Sequence, residues 1–257
     1  MQKIKNTSVN YKLKIAKSFD KEVINYNKYA HFQKKCGMEL CKIIGKISKK
    51  KVLDAGCGTG IFSRYWKNKK NFVVALDISL SMIKYAKNKN SANLYILGDI
   101  ENISFKNMKF DIIFSNLAVQ WCKNLSKVIS NFFEFINPGG IIAISTLIEG
   151  SLIELKEAWS KIDNYNHINS LLSYDEVKNI FKLYNNFIFI NKIKTIYYKN
   201  IFDLFFSIKK IGANYLYGNS YKGLTTKRKI NKLELNWKKN NSKFPISYNI
   251  IYGILFK

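Results

Sequence analysis

At 257 residues the chain suits one domain, and its 47% hydrophobic content can fill a sizeable core. No apolar run approaches the roughly 20 residues that cross a bilayer, and the polar, lysine-rich N-terminus lacks the apolar centre of a secretory signal. The formal charge is +26, yet Arg64 and Arg228 are the only arginines, whereas a nucleic-acid reader is expected to rely on arginine's planar fork.

The lysine excess accompanies an abundance of Asn, Ile, Tyr and Phe, a bias that fits A/T-rich codons. A basic surface still draws acidic partners, whatever its origin. Cys36, Cys41, Cys57 and Cys122 form no Cys-x-x-Cys pair, and His31 and His167 lie far apart. No metal site is therefore expected, and four reduced thiols point to the cytoplasm.

The first 25 residues are polar, with scattered apolar positions and no turn signals. Helical spacing of Tyr29, Phe32, Cys36, Leu40, Ile43, Ile44 and Ile47 predicts a helix over 27–47. Strands and helices then alternate: strand 51–55, helix 61–68, strand 72–77, a helix capped by Ser79 and running to 89, and strand 94–98. Strand 110–115 follows, then helix 125–136, a stop at Asn137-Pro138-Gly139-Gly140, and strand 141–146. Runs such as Phe72-Val73-Val74-Ala75-Leu76 are continuously apolar, the mark of strands covered on both faces of a parallel sheet. Beyond 146 the spacing predicts helices over 151–183 and 200–238, a β-rich stretch at 187–198 and a last strand at 248–256.

Residues 52–60 read Val-Leu-Asp-Ala-Gly-Cys-Gly-Thr-Gly. Three alternate glycines after a strand let backbone approach a ligand closely. Gly56, Gly58 and Gly60 do not follow the Gly-x-Gly-x-x-Gly spacing, since Ile61 stands where the last glycine would be, and the lysine of a phosphate-cradling loop is missing. The turn therefore suits a nucleoside ligand without a pyrophosphate. Asp77, at the end of the second strand, can accept hydrogen bonds from both hydroxyls of a ribose; taken alone, it could equally cap the next helix.

The Asp-x-Gly-x-Gly-x-Gly pattern resembles motif I of the class I S-adenosylmethionine-dependent methyltransferases. The resemblance implies a Rossmann-like α/β fold. Its seven-stranded, mostly parallel sheet has an antiparallel last strand, helices on both faces and helical insertions over the active site. It also implies a cofactor site formed by Tyr26, Asp54, Gly56, Cys57, Gly58, Gly60, Asp77, Ile78, Met82, Asp99, Ile100, Asn116 and Leu117. In that site Asp99 receives the adenine amino group and Met82 lies against the ring. The backbone at 116–117 meets the methionine part, and Phe19 with Tyr26 caps the cofactor.

Four further segments bear on substrate. They are Ser115-Asn116-Leu117-Ala118-Val119-Gln120-Trp121-Cys122; Ser145-Thr146-Leu147 with 149–155 and Ala158-Trp159; Lys210-Ile211-Gly212-Ala213; and Phe244-Pro245-Ile246-Ser247-Tyr248. Together they resemble the malonyl-[acyl-carrier protein] O-methyltransferases of biotin synthesis, from about residue 13 to the C-terminus. The resemblance implies one methyltransferase domain: an N-terminal helical lid (1–48), a cofactor core (49–150), cap helices with a strand (151–240) and a final strand (241–257). It implies methyl transfer to the carboxylate of a malonyl thioester, with no metal and no acid–base residue. Tyr26, Gln120, Trp121 and His167 would align the substrate, while Lys209 and Lys210 meet the acidic carrier protein. A monomer is expected, with neither membrane nor nucleic acid as partner. Two other readings remain open on the residues alone: a methyltransferase for another small acid or quinone, and a basic RNA-binding protein or RNA methyltransferase.

Overall fold

The computed structural model describes residues 2–105, 108–213, 215–216 and 226–257, with side chains from residue 11 onward. Two helices come first, α1 (Gln2–Tyr29) and α2 (His31–Ile44), separated at Ala30. The polar opening segment is thus a long helix, and the helix expected over 27–47 is divided.

The alternating part follows as β1 (Lys51–Ala55), α3 (Ile61–Asn68), β2 (Phe72–Asp77), α4 (Leu80–Asn88), β3 (Leu94–Leu97), β4 (Phe110–Asn116), α5 (Leu125–Phe135) and β5 (Ile136–Leu147). Its caps are those the sequence supplies. The Ser79 hydroxyl accepts from the Met82 N–H (3.1 Å), and the Asn124 side chain accepts from the Lys127 N–H (2.9 Å). The stop at 137–140 lies inside β5, whose pairing with β4 slips between Phe110 and Ile112.

The remaining elements are α6 (Ile153–Ser160), α7 (Tyr174–Phe181), β6 (Phe187–Tyr198), α8 (Ile201–Lys210), α9 (Lys227–Asn236) and β7 (Phe244–Phe256). The helix expected over 151–183 is two short helices joined by an irregular stretch, where Asp163, Asn164 and Asn166 favour turns. Of the helix expected over 200–238, 201–210 and 227–236 are helical, while 214 and 217–225 lie outside the described residues.

Among the described residues the strands form one sheet in the order β3-β2-β1-β4-β5-β7-β6. β1 to β5 are parallel, and β7 runs antiparallel to both its neighbours. Alternate residues serve opposite faces. Val52, Val73, Ile112 and Phe114 pack against Leu40, Phe62 and Trp66 from α2 and α3. Leu53, Val74, Ile113 and Ile142 meet Val128, Phe132 and Phe181 from α5 and α7. Each such side chain contributes about 2 kcal/mol on burial.

The order reverses at β1, with β2 and β4 on its two sides. This is the switch point at which open α/β sheets bind ligands beyond the carboxyl ends of their strands. α1 crosses that edge, and its hydrogen bonds reach the loops after β1, β2, β3 and β4. Asn27 accepts from the Thr59 hydroxyl (2.6 Å), and Asp20 from the Ser79 hydroxyl (2.6 Å) and the Ser81 N–H (2.9 Å). Lys12 meets Asp99 (3.2 Å) and Glu101 (2.7 Å), and the Tyr11 hydroxyl donates to the Trp121 carbonyl (3.2 Å).

Candidate active site

The glycine turn is fixed from behind by β2: the Gly56 and Cys57 N–H groups both donate to the Leu76 carbonyl (2.8 and 2.9 Å). Gly56 has φ +82°, and a Cβ there would stand 2.3 Å from the Ala118 Cβ, so only glycine fits between the loops after β1 and β4. The Gly58 N–H donates to Asp77 Oδ2 (2.8 Å), and the Ser79 N–H donates to Asp77 Oδ1 (2.8 Å). Asp77 thus steadies the start of α4 and also lines the cleft.

That cleft, of about 80 Å³, brings together Tyr26, Gly56, Gly58, Asp77, Ile78, Met82, Asp99, Ile100, Asn116, Leu117 and Trp121, all expected at a cofactor or substrate. Lys12, Ile15, Phe19, Ala118 and Cys122 complete it. Of these, Lys12 and Ile15 carried no sequence signal, because a helix 80 residues upstream cannot be paired with a strand end from spacing alone. The bare backbone at Gly56 and the acceptor pair on Asp77 suit a nucleoside with two ribose hydroxyls.

Three residues expected here stand behind the cleft instead. Asp54 is buried and accepts from the Ser63 hydroxyl (2.6 Å), tying β1 to α3. Cys57 is buried in the core cluster under the turn. Gly60 (φ +79°) starts α3, where a Cβ would stand 2.2 Å from Ser91 Oγ. They shape the turn without lining the cleft.

The loop after β4 is equally constrained. Leu117 has φ +51°, a strained value for a side chain with a Cβ, and strain of this kind collects at binding sites. Its N–H donates to the Ser145 carbonyl and is also 3.1 Å from Ser145 Oγ; the Ser145 hydroxyl donates to Asn116 Oδ1 (2.8 Å), and Asn116 Nδ2 to the Gln33 carbonyl (3.0 Å).

Burial pushes the Asp77 carboxyl up to about 6, with nearby Asp20 adding to the effect against hydrogen bonds that lower it. Burial also brings Asp54 up to about 7. A raised carboxyl loses its charge early as pH falls. Cofactor affinity is therefore expected to drop about tenfold between pH 7 and pH 5, as Asp77 passes from mostly ionised to mostly protonated. Calorimetric titration across that range checks this; flat affinity would mean that Asp77 charge plays no part.

Phe19, Tyr26, Leu117 and Trp121 also line a second cavity of about 400 Å³, so the two spaces share a wall. The Phe19 and Trp121 rings meet edge to face, 5.6 Å apart. Gln120 and His167 line this second cavity with Ser151, Trp159 and Tyr248. His167 stacks on Trp159 (3.7 Å, 5°) and its Nε2 lies 2.7 Å from Asp163, which Lys229 also meets at 3.0 Å. Burial opposes charge on Asp163, but bonding to His167 and Lys229 outweighs it and lowers its pKa. The Gln120 side-chain oxygen is buried without a hydrogen-bond partner among the described residues.

Lys209 lines the same cavity, whereas Lys210 does not: it pairs with Glu22 (3.3 Å), joining α8 to α1. Cys36, Cys41 and Cys57 are buried thiols and Cys122 is half-buried. Among the described residues no group of three or more His, Cys, Asp or Glu could hold a metal ion.

The chain matches the family model described as a methyltransferase domain over residues 53–144. Among solved structures it is similar to the YcgJ protein of Bacillus subtilis (TM-score 0.60, 16% identity, 86% of this chain and 97% of that one). A second is a phosphoethanolamine N-methyltransferase of Haemonchus contortus, solved with S-adenosylhomocysteine (TM-score 0.56, 20% identity, 93% of this chain and 57% of that one). In sequence it is 39% identical over 250 residues to the malonyl-[acyl-carrier protein] O-methyltransferase of Hamiltonella defensa, covering 97% of this chain and 96% of that protein. It is 37% identical to the enzyme of that name from Buchnera aphidicola (95% and 98%) and 35% identical to that from Yersinia pestis (95% and 91%). With this similarity running across both cavities and the glycine turn, the chain belongs to the malonyl-[acyl-carrier protein] O-methyltransferase family.

Proposed function

We propose that the protein transfers the methyl group of S-adenosylmethionine to the free carboxylate of a malonyl group held as a thioester on acyl-carrier protein. The product is the malonyl methyl ester that primes pimeloyl synthesis for biotin. The observation that carries this reading is the shared wall between the cofactor cleft and the larger cavity, formed by Phe19, Tyr26, Leu117 and Trp121.

S-adenosylmethionine supplies a methyl group made electrophilic by its sulfonium. The other reactant needs little from the protein. Carboxylates titrate near pH 4 and are ionised at pH 7, so no general base is required. The residues of the cavity fit that demand. Burial and nearby Asp77 hold the Tyr26 phenol protonated, as a donor and not a base. Burial does the same to Tyr248. Gln120, Trp121 and the fixed His167–Trp159 stack are suited to aligning the acyl group and excluding water, the sources of rate in an in-line displacement. Lys209, on the same cavity, favours an anionic substrate. In this reading α1 and α2 act as a lid over the core, 151–240 as the cap, and the working form is a cytoplasmic monomer; none of the described helices is long and apolar enough to cross a membrane.

The test is purified protein with labelled S-adenosylmethionine and malonyl-carrier protein, beside malonyl-coenzyme A, free malonate and RNA. Label is expected on the malonyl thioester as a base-labile ester. Absence of transfer to either thioester would overturn the reading, and labelled RNA would favour the nucleic-acid alternative.

A further inference from the structure

The substrate cavity opens in two directions, and the two mouths differ in charge. On one side it shares Phe32, Gln33, Ile208, Ile211 and Tyr248 with a space of about 620 Å³ between α2, β6 and α8. The outer part of that space carries His31, Lys35 and Lys194, with Asp203 as its acid. Asp203 is engaged by Asn200 (2.9 Å), whereas neither Lys35 nor Lys194 closes a salt bridge among the described residues. On the other side the cavity shares Ser151, Trp159 and His167 with a space of about 510 Å³ whose rim holds Glu149, Asp163 and Lys156, with Lys229 paired to Asp163.

A second observation lies at the junction on the basic side. The Gln33 side-chain oxygen is buried and has no hydrogen-bond partner among the described residues, although Gln33 lines both spaces. An orphaned buried acceptor is costly until a donor reaches it. Around it the walls are apolar or aromatic, with Phe32 stacked on Tyr248 (4.1 Å, 27°). Outside, Phe206 of α8 is 45% exposed beside the lysines, and Phe202 is 61% exposed on the same helix. A carrier protein's thioester arm has matching chemistry in matching order: a phosphate outside, two amides along its length and the acyl group at its tip.

Resting on the malonyl-carrier reading above, we infer that the arm enters between α2, β6 and α8, its phosphate at Lys35 and Lys194 and an amide at Gln33. The acidic carrier protein then sits over Phe202 and Phe206. The opposite mouth, where Lys156 and Lys229 balance Glu149 and Asp163, offers the phosphate and the carrier no excess of positive charge.

The experiment compares kcat/KM on malonyl-carrier protein with kcat/KM on malonyl-N-acetylcysteamine, a short thioester without phosphate or carrier. In Lys35→Glu/Lys194→Glu the ratio is expected to fall about tenfold, through KM, with a weakened salt dependence. Lys156→Glu at the other mouth is expected to leave it as in the wild type. An unchanged ratio in the double variant, or a fall in Lys156→Glu instead, would overturn the route. Equal losses on both thioesters would also overturn it, since damage to the cavity does not distinguish them. Wild-type protein inactive on every malonyl thioester would instead break the functional reading beneath it.

Discussion

Gly56→Ala is expected to reduce cofactor affinity at least about 100-fold while the sheet still folds. Two costs act at one place. The backbone is at φ +82°, which costs a residue with a Cβ about 1–2 kcal/mol. The new methyl would also stand 2.3 Å from the Ala118 Cβ, a short and rigid neighbour that cannot rotate away. Relief requires the loops after β1 and β4 to part, and both line the cleft. Gly45→Ala separates the two costs. Its φ is +87°, but a Cβ there meets nothing within 4 Å, so it should lose stability without losing cofactor. Calorimetry and thermal denaturation of both variants check this; near-normal binding by Gly56→Ala would show that the loops are not held as described.

Asp77→Ala is expected to weaken cofactor binding about 100-fold. Hydrogen bonds to a charged acceptor contribute about 1.5–3 kcal/mol each, and both ribose hydroxyls lose theirs. The fold should change far less. The Gly58 and Ser79 N–H groups lose a partner, but a carboxylate that burial holds near 6 no longer has to be ionised at pH 7. Unchanged affinity would contradict the ribose role, and gross unfolding would show that Asp77 is chiefly a cap.

The cofactor half of the molecule was legible because its signals are local. Apolar runs gave β1, β2 and β4, Ser79 marked α4, and the acids ending or following β2 and β3 line the cleft. Asp54 was misplaced for a geometric reason. It precedes the turn, and in a strand buried on both faces its carboxylate faces α3 and bonds Ser63. The cap was less legible. Ile162, Ile168 and Leu171 have the apolarity of a helix, but Ile168 and Leu171 are wall for the substrate cavity, in an irregular segment. The start of β7 was hidden by Pro245, which pairs with Tyr197 near the strand's beginning, where a missing N–H is tolerated. The Lys12 contact with Asp99 spans 87 residues and has no signature in spacing.

The reach of α1 into the loops after β1, β2, β3 and β4 bears on kinetics. Each bond is modest, about 1 kcal/mol where both partners are neutral and about 1.5–3 kcal/mol where Lys12 or Asp20 takes part, but one helix carries them all, so loosening it strains them together. Ile15, Phe19 and Tyr26 come from that same helix and wall the cleft. Release of spent cofactor is therefore expected to need the helix to peel from these loops. Turnover is then expected to follow how often one helix detaches, so that loosening any one of its anchors quickens release more than the chemical step, as a measured release rate would show.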